Sequence, residues 1–299
     1  MKRVVGIGAA VYDTLIEMSH FPEEDVKIRA ERVFSSGGGP VSNALVCLAK
    51  LGVGASYLGL LSDDEIGHRL KEEFERFGVD ASEARFLKGY APFTSYIILS
   101  KDNGTRTCLF DKGNVPDDPS QLSFAALSSA DILHLDGNNL ETAKAGIKEA
   151  KRLGAKVSLD AGSVYPHIED ILPDIDILIP SEEFALRFTG KHSAEEALLA
   201  LEEAFHPEVL LITQGAKGGI FLEGNAIKRY DAFQVECVDS NGAGDTFHGA
   251  FLAAYLEGKD TGEAARFASA VSALKCQKAG MRTALPSLEA TLNFLRERR

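Results

Sequence analysis

The chain has 299 residues, 45% hydrophobic and 25% charged, which is ordinary for a globular protein and enough for one large α/β domain or two small ones. Its 44 acidic and 32 basic residues leave a formal charge of -12, which excludes a general nucleic-acid or anionic-membrane surface. A small anionic substrate stays open, because a local nest of backbone N–H groups can hold a phosphate.

In chain order, "RVVGIGAA" (3–10) reads as a first strand, and the acids Asp13 and Glu17 follow too soon for a signal peptide. Residues 12–36 are extended and charged. "GPVSNALVCLAKLG" (39–52) spaces Val41, Leu45, Leu48 and Leu51 as one face of a helix that Gly52 stops. "ASYLGLL" (55–61) predicts a strand and 63–78 an amphipathic helix. In 90–112, "TSYIILS" and "TRTCLF" flank "KDNG", a hairpin signal. Beyond it, "DILHLDG", "KVSLDAG", "DILIP" and "VLLITQG" alternate with helix-period runs such as "LETAKAGIKEAKRLG". Short apolar strands between amphipathic helices imply parallel βαβ units and a sheet covered on both faces. The two regions that break this rhythm, about 12–36 and 90–113, predict a small antiparallel sheet, either an edge hairpin or a lid over a cleft. With no repeat and no linker, 1–299 reads as a single domain. The four cysteines form no CxxC pair, which argues against a zinc site or disulfide framework. No run is long enough to span a bilayer, so the expected location is the cytoplasm.

"VDSNGAGDTFHGAF" (238–251) carries the chemistry. "FQVECVD" predicts a strand and "TFHGAFLAAYLEG" a helix ended by Gly258, so the glycines sit where a helix starts. A helix start leaves several N–H groups unpaired and carries roughly half a positive charge. Gly242, Ala243 and Gly244 therefore suit an anion hole. Asp245 beside them fits a base that takes a proton from a hydroxyl attacking phosphorus, or an ordinary first-turn acid favouring the helix dipole. His248, one turn on, reads first as a satisfied core histidine. His134 and the "DGNN" of 136–139 mark either a plain turn or a substrate loop at a strand end.

This stretch resembles the C-terminal signature D-T-x-G-A-G-D of the ribokinase (PfkB) family of carbohydrate kinases. "SGGGPVSNALVCLAKLG" (36–52) resembles the family's N-terminal signature, and "GAAVYDTL", "LITQGAKGG" and "RFASAVSALKCQKAGMRTALPS" extend the likeness over nearly the whole chain. The resemblance implies a ribokinase-like three-layer αβα sandwich with a mainly parallel sheet and a small antiparallel β lid. It implies Asp245 as catalytic base and Gly242, Ala243 and Gly244 as anion hole. It implies sugar binding by Asp13, Gly38, Gly39 and Asn43. For ATP it implies Thr213, Gly215 and Gly218, with Ser272 or Lys275 on the adenine-side helix.

Mg²⁺ is implied with ATP, yet the family's Asn-x-x-Glu is here "SEEF", with Ser181 and Phe184 in the outer positions. Glu183 is the expected substitute, with Glu182 beside it. Some members use a monovalent cation near the strand that would carry Asp239, and that cofactor stays open. Lid hairpins of the family can pair between subunits, which adds a homodimer to the expectations. The Gly-Gly-Gly-Pro spelling resembles the ketohexokinase and sulfofructose kinase branch. Lys27, with Arg29 and Arg32, could bring charge to an anionic sugar, or only protect an exposed edge. "HLDGNN" lacks an Arg for a sulfonate, so a neutral ketose or related sugar comes first and a sugar phosphate second. A nucleoside remains an alternative, with Tyr12, Tyr90, Phe93 and Tyr96 as candidates for a base slot, and a silent sugar-binding sensor another.

Overall fold

The computed structural model describes residues 2–102 and 105–298. In chain order the elements are β1 (Arg3–Ile7), β2 (Val11–Met18), β3 (Arg32–Gly38), α1 (Pro40–Lys50), β4 (Gly54–Tyr57), β5 (Leu60–Ser62), α2 (Glu65–Arg76) and β6 (Arg85–Leu87). Next come β7 (Thr94–Ser100), β8 (Thr105–Asp111), β9 (Ile132–Leu135), α3 (Leu140–Leu153), β10 (Lys156–Ala161), β11 (Ile177–Pro180), α4 (Glu182–Thr189), α5 (Ala194–Phe205) and β12 (Val209–Thr213). The chain ends with β13 (Gly219–Glu223), β14 (Ala226–Tyr230), α6 (Ala243–Leu256), α7 (Thr261–Cys276) and α8 (Leu288–Glu297).

The main sheet has the order β14-β13-β12-β11-β10-β9-β1-β4. From β12 to β4 its pairs are parallel, and β13 and β14 add an antiparallel edge. Adjacent residues of β1 explain why both faces are buried. Val4 packs into a core with α1, α6 and α7, whereas Val5 packs into a second core with α3, α4 and α5. Period-two alternation in a strand that is apolar on both sides demands this three-layer arrangement. The chain leaves β1 toward β4 on one side and reaches β9 on the other, and such a switch opens a crevice at the strands' C-terminal ends.

The second sheet, β3-β2-β7-β8, sits over that crevice. Its two expected antiparallel pairs, β2 with β3 and β7 with β8, are joined by a parallel pairing of β2 with β7. Asn103 and Gly104 of the predicted hairpin turn lie outside the described residues.

Two predicted strands differ. The run 55–61 splits, because β4 stays beside β1 while β5 turns away to pair with β6. The strand expected before the glycine-rich loop is absent, and 231–242 holds no strand. Phe233 and Val235 pack with Ala270, Ala273 and Phe294, while Val238 and Asp239 donate their N–H groups to Cys276 O at the end of α7. The backbone partners that a strand would have found in a neighbour come from a helix terminus instead. Among the described residues no helix is long and apolar enough to cross a membrane.

Candidate functional site

The glycine-rich loop meets α6 as expected. Gly242 caps the helix with φ 71°, a left-handed conformation that disfavours any Cβ. A Cβ added at Gly244 would meet nothing within 4 Å, so open space lies against the first-turn N–H groups. Asp245 reaches a cavity of about 320 Å³, and its Oδ2 accepts a 2.7 Å hydrogen bond from Asn43 Nδ2 of α1. Burial, and next the carboxylate of Asp160, push the Asp245 carboxyl up to about 6. The base predicted at 245 and the substrate residue predicted at 43 thus touch across 202 positions of sequence.

Asp13 lines the same cavity with Gly39 and Asn43. Ser95 Oγ donates to Asp13 Oδ1 at 2.6 Å, and burial raises the Asp13 pKa against that hydrogen bond and the pull of Arg282. Gly38 is needed for close approach, since a Cβ there would lie 1.9 Å from Asp13 Oδ2. From the second sheet come Phe93, Ser95, Ile97, Arg106, Phe110 and Lys112, closing the cavity opposite Asn43 and Asp245. Arg106 Nη1 donates to Asn241 Oδ1 at 2.7 Å, which ties that sheet to the glycine-rich loop before α6.

Lys27 is elsewhere. It is exposed on the connector beyond the far end of the β2–β3 pair. Val11 pairs with Gly38 at the cavity end and Glu17 with Arg32 at the other, about 20 Å away at roughly 3.3 Å per residue. Arg29 shares that connector, and Arg32 lies over the Phe34 ring and pairs with Glu17. Lys112 and Arg106 bring the positive charge that Lys27 was expected to supply. Of the four candidate aromatics only Phe93 lines the cavity, where Phe110 and Tyr165 join it. Tyr12 instead accepts a hydrogen bond from Arg69, and Tyr90 and Tyr96 are exposed.

Thr213, Gly215 and Gly218 lie together where β12 turns into β13. Gln214 N donates to Gly218 O at 2.7 Å, and the Gln214 side chain donates to Glu182 Oε1 at 2.6 Å. Ser181 caps α4 by accepting from Phe184 N, and Phe184 is buried in the core. Glu183 turns outward and pairs with exposed Arg187, so Glu182 is the carboxylate at the 213–218 loop. One residue turns a helix by about 100°, which is the difference between these two positions. Among the described residues no group of three or more His, Cys, Asp or Glu side chains is placed to hold a metal. This arrangement fits Mg²⁺ carried on nucleotide oxygens and water, with Glu182 in reach, because Mg²⁺ needs few protein ligands.

Ser272 and Lys275 brace the loop. Ser272 Oγ donates to Ala243 O at 2.9 Å. The buried Lys275 ammonium donates to Asp239 O at 2.8 Å and stands 3.8 Å from its carboxylate. Burial lowers the Lys275 pKa, and Asp239 opposes that shift. A side-chain cation therefore stands where the resemblance left room for a monovalent ion.

The segment read as a plain turn or a substrate loop, 136–139, and one Arg that sequence reasoning missed complete the surroundings of the site. Asp136 of "DGNN" is buried, and it accepts from Ala9 N at 2.9 Å and Val41 N at 3.4 Å, welding β9 to the loop after β1 and the start of α1. Burial pushes its pKa up to about 6. Asn138 of the same segment does line the cavity and donates to Tyr165 Oη. Arg282 is 3% exposed and donates through Nε to Asn43 Oδ1 at 3.1 Å, beside Glu73, whose Oε2 accepts from Gly37 N at 2.7 Å. The "GMRTALP" segment carried the likeness, but nothing local marked its Arg as a partner of residues 37–43.

The sequence model described as pfkB family carbohydrate kinase matches residues 1–288. The ribokinase of Haemophilus influenzae is 28% identical over 304 residues, covering 98% of this chain and 98% of its own. The solved ribokinase of Thermotoga maritima has a TM-score of 0.85 at 26% identity and covers 99% of both chains. That of Arabidopsis thaliana, solved with ribose and ATP, has a TM-score of 0.85 at 26% identity over 99% of this chain and 98% of its own.

Proposed function

Because the chain belongs to the pfkB family of carbohydrate kinases, we propose that it moves the γ-phosphoryl group of ATP onto a hydroxyl of a small free sugar with Asp245 as general base. The observation that carries this reading is the Asp245–Asn43 contact inside the cavity that Asp13 and Gly39 also line. Asp13 and Asn43 clamp sugar hydroxyls, and their rigid backing by Ser95 and Arg282 holds one hydroxyl toward Asp245. Asp245 takes the proton of that hydroxyl as its oxygen attacks phosphorus. The N–H groups of 242–244 stabilise charge on the transferred group. The nucleotide lies along Thr213, Gly215 and Gly218, and Mg²⁺ supplies charge neutralisation between the phosphates when bound. Closure of the second sheet over the cavity excludes water and limits ATP hydrolysis. We assign a homodimer through that sheet, supported by Val33, Tyr96 and Leu109, which are each more than half exposed on it.

A panel of ketoses, aldoses, sugar phosphates and nucleosides, scored by ATP-dependent ADP release, tests the reading. The ketohexokinase-like spelling puts a neutral ketose first. A phosphorylated sugar as the best acceptor would instead point to Lys112 and Arg106 as its partners. One observation favours a second reading. Phe93, Phe110 and Tyr165 give the cavity an aromatic wall, which suits the base of a nucleoside. A nucleoside as the clear winner would select it, and no turnover on any acceptor would leave a sugar-binding sensor.

The pH profile is a separate prediction. Asp245 accepts a proton only when ionised, so kcat/KM is expected to rise with pH through a midpoint near about 6. Below that midpoint it should fall by about tenfold per pH unit. An acid limb centred near 4, the ordinary carboxylate value, would remove Asp245 from the role.

A further inference from the structure

A buried cluster behind Asp245 remains unexplained by phosphoryl transfer. His248 lies one helical turn after Asp245 on α6, and its Nε2 stands 3.2 Å from Asp160 Oδ1 at the end of β10. Both side chains are under a tenth exposed. His134 of β9 packs its ring 5.8 Å from that of His248 and shares a 3.3 Å hydrogen bond with Ser158 Oγ. Among the described residues His248 Nδ1 and His134 Nε2 have no hydrogen-bond partner. The carboxylate of Asp160 fixes a proton on Nε2 of His248, which donates to it.

The charges around His248 decide whether its ring is charged. The buried Asp160 and Asp136 and the half-buried Asp245 place three carboxyl groups at the ends of neighbouring elements. Tyr165 faces them with a phenol whose pKa burial, and then Asp136, push up to about 12. Arg282 is held by Glu73, and Lys275 by Asp239. Burial, and next His248, hold His134 neutral by lowering its pKa to about 3. His248 is the side chain in contact with the Asp160 carboxylate, and an unbalanced buried carboxylate would be costly.

We propose that the His248–Asp160 ion pair sets the proton affinity of the Asp245 base, with His248 a positioning residue that shields Asp245 from the charge of Asp160. This inference rests on Asp245 being the base. The pair works through space and touches neither acceptor nor phosphate. Burial raises the proton affinity of Asp160, but its interactions with His248 and then His134 together outweigh that, so its pKa lies below the ordinary carboxylate value.

The test compares His248→Asn, Asp160→Asn and the double variant with wild type, reading the acid limb of kcat/KM and, in the free protein, the NMR titration of the Asp245 carboxyl carbon. His248→Asn leaves Asp160 uncompensated, so both midpoints are expected to rise by about one pH unit. Asp160→Asn removes the repelling carboxylate, so both are expected to fall. The double variant should return close to wild type. Single variants that change kcat or melting temperature without moving either midpoint would reduce the pair to packing and overturn the inference. So would midpoints that move in the same direction in both. NMR of the ring nitrogens in the unaltered protein needs no variant to fold, and a neutral His248 imidazole at pH 6 would also overturn it. If the Asp245 carboxyl titration moves while the kinetic limb stays still, the coupling stands and the assignment of Asp245 as base falls.

Discussion

Asp245→Asn is expected to lower kcat by about three orders of magnitude on the best acceptor, within the range of roughly 10²–10⁴ that a positioned general base supplies. The amide is nearly isosteric, and its oxygen still accepts from Asn43 Nδ2, so the cavity keeps its shape. Acceptor KM should therefore stay within about threefold, because the lost interaction belongs to the transition state. Stability supplies the control. A carboxyl whose folded pKa is raised stabilises the fold below its unfolded value near 3.8 and loses that contribution as pH rises through about 6. At neutral pH the buried carboxylate is a liability, so the variant should melt no lower than wild type. A variant that retains wild-type kcat would dismiss the base, and one that melts much earlier would show the loss to be structural.

The second large effect is on the fold. Arg282→Met is expected to cost about 3–5 kcal/mol of stability, the range for breaking a buried ion pair from one side. The guanidinium donates to Asn43 Oδ1 and to Gly38 O, stands 3.4 Å from Glu73 Oε1 and lies over the Phe74 ring. Its loss leaves Glu73, 9% exposed, with only the exposed Arg76, 3.6 Å away, as a cation partner among the described residues. Glu73→Gln in the same chain should recover part of the loss, and a double-mutant cycle in urea isolates the pair. Arg282→Lys should rescue little, since a point charge cannot serve Asn43, Gly38 and Glu73 together. Acceptor KM should rise with the stability loss, because the same guanidinium orients Asn43. Full stability in Arg282→Met would mean that the Arg282–Glu73 ion pair does not hold this cluster together.

The legible residues and the missed ones differ in a physical way. Asp245 and Gly242–Gly244 could be read because a helix start, its free N–H groups and an acid in the first turn are all set by neighbours in the chain. Asn43 was legible only through the likeness of 36–52 to the family's N-terminal signature. Arg282 was not, since its partners lie at 38, 43 and 73 and a lone Arg after a helix has no local signature. Lys27 was misplaced because an extended charged run does not disclose which of its ends faces the crevice. Glu183 was preferred to Glu182 because a motif fixes spacing, whereas the direction of a first-turn side chain depends on where the helix is docked.

Order and periodicity along the chain were sufficient for the α/β architecture, and two signature motifs for the family and for Asp245 as candidate base beside the glycines of a candidate anion hole. Strand alternation, helix spacing and the glycine-rich junction are all written in near neighbours, and a chain this regular buries its apolar faces in one way. The proton affinity of that base came from packing. Asp245, Asp160, His248 and Arg282 act on one another through a low-dielectric interior, and their distances arise when β9, β10, α1, α6 and the segment after α7 converge at the strand ends. Interactions of that kind depend on burial and separation, quantities that a linear string of residues does not contain.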